Sequence, residues 1–238
     1  EGERSFGSII SAYSRDEGQR SNGMILSYDR LAETAGIAYR NENGDICINE
    51  RIKPLDLSQI PFPYRDLEEF SNRIIYYESS RGCPYRCSYC LSSADKRLRL
   101  RDIEKVRAEL EFFLYRNVPQ VKFIDRTFNC DHSHAMGIWQ FIKENDNGVT
   151  NFHFEIAADL LTDDELDFLS ALRPGQVQFE AGIQTTNPET LKAINRTMDI
   201  SKVRSVVSRI RQAGNIHIHL DLIAGLPYED LESFKQSF

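Results

Sequence analysis

No apolar run in the 238 residues approaches the roughly eighteen needed to cross a bilayer, and no segment has the pattern of a secretory leader. Internal repeats and low-complexity tracts are missing too, so a repeat array or a disordered tail is not expected. Positive charge is in deficit. Twenty-nine Lys and Arg against 36 Asp and Glu leave a net charge of -7, with no general attraction to nucleic acid or an anionic membrane. Cysteine is scarce. There are five, an odd and clustered set, which argues against a secreted disulfide framework and for a reducing, cytoplasmic setting. The initiator Met is absent, and the chain stops inside a helical pattern from Tyr228 to Phe238. It is therefore expected to be an excised fragment with sequence missing at both ends. What remains is ordinary globular composition, 41% hydrophobic and 27% charged, sufficient for one large α/β domain with or without an appendage.

Residues 1–72 are mixed. Phe6, Ile9, Ile10 and Tyr13 suggest a short helix. Gly44-Asp45 between Ile37-Ala38-Tyr39 and Ile46-Cys47-Ile48 reads as a hairpin turn. Pro54, Pro61 and Pro63 mark an extended connector. From residue 73 the chain alternates strand and helix. Ile74 to Tyr77, Val121 to Ile124, Phe152 to Ile156, Val177 to Ile183 and Ile216 to Ile223 read as strands. Between them, Asp102 and Asp131 are helix caps, Thr162 to Glu165 is a capping box, Asn187-Pro188 starts a helix, and Lys202 to Gln212 is a helix ending near Gly214. Alternation at this spacing predicts parallel βαβ units.

The strands carry a second signal. Parallel strands buried on both faces read as continuous apolar runs, and these do not. Ile216, Ile218, Leu220 and Leu222 oppose His217, His219 and Asp221. Val177, Phe179, Ala181 and Ile183 oppose Gln176, Gln178, Glu180 and Gln184. Phe152, Phe154 and Ile156 oppose His153 and Glu155. A curved parallel sheet with helices outside and a polar, ligand-holding interior accounts for this; a solvated sheet face is the alternative.

The sharpest local feature is Cys83-Pro84-Tyr85-Arg86-Cys87-Ser88-Tyr89-Cys90. Three thiolates on one tight loop form a metal-binding constellation, and three rather than four leave a coordination position open for chemistry. C-x3-C-x2-C differs from the paired C-x2-C units of most zinc modules. A zinc knuckle borrowing a distant ligand, such as His132 or His134, stays open as the alternative.

Placed after the first strand of such a barrel, this loop resembles that of the radical S-adenosylmethionine (SAM) superfamily, and the resemblance covers residues 73–238. It implies a partial (β/α)6 barrel, truncated at the C-terminus. It implies a [4Fe–4S] cluster on Cys83, Cys87 and Cys90, with SAM chelating the fourth iron, and an aromatic before the last cysteine, here Tyr89. It also implies reductive cleavage of SAM by an anaerobic enzyme fed by a reductant such as flavodoxin or ferredoxin. Further matches resemble the branch of oxygen-independent coproporphyrinogen oxidase: Glu155 ending the third strand, Gly182-Ile183-Gln184, Asn195-Arg196, and Asp221-Leu222-Ile223-Ala224-Gly225-Leu226-Pro227. They imply ribose contacts from Gln184 and Asp221, a carboxylate contact from Arg196, an ammonium contact from Glu155, and adenine lying against Ile223 and Gly225. One motif departs. The Gly-rich loop expected after the second strand is Ile124-Asp125-Arg126-Thr127-Phe128, where Asp125 is expected to pair the SAM amine instead.

Glu1-Gly2-Glu3-Arg4-Ser5-Phe6 and Ile60-Pro61-Phe62-Pro63-Tyr64 resemble the segment that follows a cobalamin-binding domain in the B12-dependent subgroup. Residues 1–72 are then a linker after a missing cobalamin domain, and cobalamin belongs to the full-length protein only. The cobalamin-ligating D-x-H-x-x-G is absent, and Asp131 to Gly137 has one residue too many. The expected function is a cobalamin-dependent methyltransferase acting on a small molecule or peptide. An anaerobic Mg-protoporphyrin ester cyclase-like enzyme and a zinc-stabilised α/β binding module are the alternatives. Cys47 and Cys130 read as free thiols, and His132 and His134 as solvated residues of a first helical turn. His217 and His219 either line the cavity or satisfy interior hydrogen bonds. Lys96 to Arg101 reads as a solvated basic loop or as a contact to an anionic substrate. Glu180 reads as an interior ligand contact or the partner of a neighbouring Lys or Arg.

Overall fold

A computed structural model describes residues 2–15, 27–70, 73–94 and 96–238. Glu1 of the Gly-Glu segment and the boundary at Asn72 lie outside the described residues. The chain divides into two compact units, Glu1–Ile60 and Pro61–Phe238.

In the first unit, helix α1 (Gly2–Arg15) is followed by α2 (Tyr28–Glu33), capped by Ser27, whose side chain accepts from Arg30 N. Strands β1 (Ala38–Arg40) and β2 (Ile46–Ile48) form the expected antiparallel hairpin. Its turn closes because Asn41 Oδ1 accepts from the backbone of Asn43 and Asp45 at 3.0 and 2.9 Å. Gly44 there takes φ +84, which a side chain would resist.

The second unit is built on a five-stranded, all-parallel sheet. Its strands are β3 (Ile75–Tyr77), β6 (Gln120–Phe123), β7 (Asn151–Ile156), β8 (Val177–Gln184) and β9 (His217–Leu222), neighbours in that order. A two-residue antiparallel ladder, β4 (Ser80–Arg81) with β5 (Arg99–Leu100), brackets the cysteine loop. The crossovers carry α3 (Ile103–Tyr115), α4 (His132–Glu144), α5 (Asp163–Ser170), α6 (Pro188–Ala193) and α7 (Ile200–Ala213); α8 (Leu231–Ser237) follows β9. Each helix begins where a short polar side chain satisfies an open N–H. Asp102, Asp131, Asn187, Asp199 and Asp230 accept from the first turns of α3, α4, α6, α7 and α8, and Thr162 and Glu165 complete a reciprocal capping box on α5. Gly214 ends α7 at φ +69.

The apolar strand face and the helices form one core. Phe123, Phe152, Phe154, Val177 and Phe179 are fully buried against Val106, Leu110 and Phe113 of α3 and Ile138, Trp139 and Ile142 of α4. Burying each such side chain contributes about 1.5–3 kcal/mol. The prolines ahead of the sheet bring aromatics onto this core. Phe62 meets Phe112 and Phe113 at ring separations of 5.5 and 5.4 Å, and Tyr64 donates to Tyr76 O at 2.6 Å. The alternation holds along β8, whose apolar positions are buried and polar positions half-buried. It weakens on β9, where Leu220 is 45% exposed because this edge strand has one neighbour. Among the described residues no helix is long and apolar enough to cross a membrane.

Two readings change. The basic stretch is not a solvated loop at its end. Arg99 and Leu100 pair with Arg81 and Ser80, and Arg101 is buried, its Nε donating to Glu109 Oε2 at 2.8 Å. Tyr77 Oη donates to the same oxygen at 2.6 Å. His134 is buried too. The helix it opens packs against the sheet, which carries its ring inward to Ser79 Oγ at 3.2 Å. Removing one partner of a buried ion pair strands the other. Glu109→Ala is therefore expected to lower unfolding free energy by about 3–5 kcal/mol in urea titration. Arg209→Ala, at exposed pairs with Asp163 and Asp167, is expected to cost under about 1 kcal/mol.

Candidate functional site

The cysteine loop leaves β4 through Gly82, at φ +98, and is held from both sides. At its entry, Ser79 N donates to the Asp125 carboxylate at 3.1 and 3.2 Å, Ser80 N donates to the same group, and Arg101 N donates to Ser79 O at 2.8 Å. Farther on, Asn195 Nδ2 donates to Arg86 O at 3.0 Å and Ser88 N donates to Ile194 O at 2.9 Å. Thr127 Oγ1 stands 3.7 Å from Cys83 Sγ. Cys83 and Cys87 are buried and Cys90 is half-buried.

Opposite the loop stand the C-terminal ends of the strands, where open parallel sheets place their ligands. The polar faces stack in register. Tyr76, Lys122, His153, Gln178 and His217 are successive cross-strand partners, followed by the row Glu155, Glu180 and His219, then Gly182 and Asp221. Lys122 Nζ lies 2.9 Å from Glu180 Oε2 and 3.9 Å from Glu155 Oε1, and His153 Nε2 lies 3.0 Å from Glu180 Oε2. Burial, then the charge of Glu180, raises the Glu155 carboxyl above its ordinary range, with Lys122 and Arg126 opposing. Glu180 moves the other way: burial would raise its carboxyl, but the hydrogen bond and charge of Lys122, with His153 adding, hold it low. Burial, then Lys122, keeps His153 below the usual imidazole range. His217 and His219 meet edge to face at a ring separation of 4.3 Å and are exposed on the edge strand.

Loop and strand ends enclose a cavity of about 240 Å³. Its walls bring together Cys83, Cys87, Tyr89 and Cys90 from the loop with Glu155, Gln184, Arg196 and Asp221. Arg196 spans it. Nη2 donates to Gly182 O, while Nη1 lies 3.6 Å from Cys87 Sγ and 3.5 Å from Tyr89 Oη. Its Nε is buried and unpartnered. A register shift between Gly182 and Gln184 lets Gln184 adopt φ +70, and its side-chain amide folds back over Gly182, where a Cβ would collide with it.

Asp125 does not belong to this wall. It is fully buried, and its carboxylate is taken up by Ser79 and Ser80, so the expected contact to an amine is replaced by a contact to the loop's own backbone. Ile223 and Gly225 also stand apart from the lining residues; Ile223 N extends the ladder to Gln184 O at 3.0 Å, and Gly225 takes φ +87 facing open space. Sequence reasoning passed over Tyr85, Arg126 and Thr127, which do line the cavity. Their signal was position, between two cysteines or just past a strand end. Burial, then Asp159, pushes the Tyr85 phenol up to about 12. Cys130 is half-buried near Thr127, its thiol pushed up to about 12 by burial and then by Cys83. The zinc alternative loses its distant ligands. His132 Nδ1 lies 2.8 Å from Glu165 Oε1, and His134 bonds Ser79.

Known proteins resemble this chain in sequence or in fold. A protein labelled an uncharacterized methyltransferase of Pyrococcus horikoshii is 26% identical, the match covering 99% of this chain and 50% of the relative. The anaerobic magnesium-protoporphyrin IX monomethyl ester cyclase of Synechocystis is 28% identical over 83% of this chain and 42% of its own. Thus the chain spans about half the length of these relatives or less. The fold matches that of the radical SAM methyltransferase TsrM from Kitasatospora setae, solved with cobalamin and a [4Fe-4S] cluster, at a TM-score of 0.73 and 17% identity over 99% of this chain and 47% of TsrM. The profile of the Radical SAM superfamily matches residues 77–238, from the end of the first barrel strand through the three-cysteine loop to the last helix. A three-thiol loop facing the C-terminal ends of a parallel sheet is what that match predicts, and the chain belongs to the radical SAM superfamily.

Proposed function

We propose that this chain is the barrel of a cobalamin-dependent radical SAM methyltransferase, residues 1–72 joining it to a cobalamin-binding domain of the whole protein. One observation carries the reading: the three thiols share a cavity with Glu155, Gln184, Arg196 and Asp221, the residues that resemble a SAM site. The similarity to TsrM in fold and to the Pyrococcus methyltransferase in sequence supports it.

The residues suit the cofactors of the family. Cys83, Cys87 and Cys90, which line the cavity, would hold three irons of a cubane and leave the fourth without a protein thiolate. Arg196 has a buried Nε without a partner beside Nη groups already aimed into the cavity, a fork suited to a carboxylate. A bound cluster supplies one-electron reduction of SAM, and cobalamin supplies a methyl carrier. In this reading Glu155 pairs the ammonium, while Gln184 and Asp221 take the ribose hydroxyls. A half-exposed Tyr89 beside Arg196 closes the side of the cavity nearest the last cysteine. Electrons would come from a flavodoxin- or ferredoxin-like reductant. A cyclase-like radical reaction is the second reading, supported by the Synechocystis relative.

Anaerobically reconstituted chain is expected to show a broad thiolate-to-iron absorption that any single change to Ala at Cys83, Cys87 or Cys90 abolishes. Full iron content in Cys87→Ala overturns the ligand set. Arg196→Lys cannot reproduce the guanidinium fork, and Asp221→Asn keeps part of the acceptor capacity. Losing one charge-assisted bond costs about 1.5–3 kcal/mol, so each variant is expected to weaken SAM binding roughly 10- to 150-fold by calorimetry under nitrogen, with iron counted in parallel. With SAM labelled in its methyl group, the whole protein is expected to pass label to its substrate. Formation of 5′-deoxyadenosine with no label transferred favours the cyclase-like reading.

A further inference from the structure

Asp125 is the one expected cofactor contact that the fold removes from the cavity and buries completely. Its carboxylate accepts from Ser79 N at 3.1 and 3.2 Å, from Ser79 Oγ at 3.2 Å, and from Ser80 N. Ser79 and Ser80 are themselves buried, and Ser79 Oγ is also tied to His134 Nε2 at 3.2 Å. The two backbone N–H groups leave the β3 strand direction together and converge on one side chain. Without it both would be buried donors lacking an acceptor.

The carboxylate is delivered by the neighbouring strand. Ile124 N donates to Tyr77 O at 2.9 Å, so residue 125 emerges beside the point where β3 gives way to the loop. Two residues later the same segment reaches the loop again, at Cys83, through Thr127. We propose that Asp125 is a positioning residue, whose buried carboxylate fixes the entry of the cysteine loop and so presents the three thiols in place before iron is loaded. This rests on the family's cluster for its purpose, but the clamp belongs to the chain alone. Burial pushes the Asp125 carboxyl up to about 7, against the pull of the Ser80 and Ser79 donors. Asn at this position would offer one oxygen where two are used and turn N–H groups toward N–H groups.

The test uses the full chain carrying Asp125→Asn, with Leu169→Ala, a buried α5 residue, as a control for general loss of stability. In the iron-free chain, amide exchange over residues 79–90 is expected to rise about 10-fold in Asp125→Asn relative to exchange over β7. After anaerobic reconstitution, iron is expected to pass to a chelator several-fold faster than from either wild type or Leu169→Ala. The reduced cluster's electron paramagnetic resonance signal is expected to broaden in Asp125→Asn alone. Loop exchange and iron release no faster than in Leu169→Ala overturn the proposal. Should Asp125→Asn fail to fold, Ser79→Ala, which takes the hydroxyl from the carboxylate and from His134, is read the same way: faster loop exchange supports the clamp and unchanged exchange overturns it. Failure of the wild-type chain to take up iron counts against the ligand set, while exchange in the iron-free chain still decides the role of Asp125.

Discussion

The backbone of residues 79–90, buried at Ser79, Ser80, Gly82, Cys83 and Cys87, finds most of its hydrogen-bond partners outside itself, and the rest of the site depends on how it does so. The stretch contains only the two residues of β4 in regular structure, so its polar groups have no long ladder of their own. Partners come from two places far apart in sequence. Asp125 meets the entry from 46 residues away, and Asn195 and Arg196 meet the later part from 109 residues away. Both segments follow strands of the same sheet, β6 and β8. The consecutive strand order brings them to the same end of the barrel, and the loop is caught between them.

The sheet itself shows why one face is polar. Parallel strands align like with like across the register, so an interior position on one strand sits in a row of interior positions. Here the middle row places Glu155 beside Glu180. Two carboxylates at adjacent positions in a half-buried space repel, and Lys122, from the row below, lies between them. The three side chains form one electrostatic unit beneath the cavity, with His153 at its edge held below the usual imidazole range by burial and by the same lysine. The polar face thus carries paired charges that are half-buried at its centre and exposed toward the edge strand.

The end of β8 carries a local cost. A non-glycine residue at φ +70, as at Gln184, costs on the order of 1–3 kcal/mol. The surrounding bonds hold it there: Ile223 N donates to its carbonyl, and Thr185 N donates to Ile183 O. The result turns the Gln184 side chain across Gly182 and toward the cavity, next to Arg196.

Sequence by itself determined what depends on neighbours along the chain. The caps at Asp102, Asp131 and Asn187 and the Thr162–Glu165 capping box each join a side chain to an N–H two or three residues on, so spacing suffices to read them. The same holds for the two faces of β8 and for three thiols within eight residues. Tertiary structure alone decided where the charges went. Asp125 lies just past the end of β6 and Glu155 near the end of β7, yet one is fully buried behind the loop and the other lines the cavity. Arg101 ends a stretch that reads as a solvated basic loop and is buried against Glu109 and Tyr77. His134, at a helix start, is turned in toward Ser79. Each outcome turns on which segment, tens of residues away, passes within hydrogen-bonding distance, and burial then raises the cost of any polar group left without a partner. Local periodicity does not encode those long-range meetings; the order of strands in the sheet does.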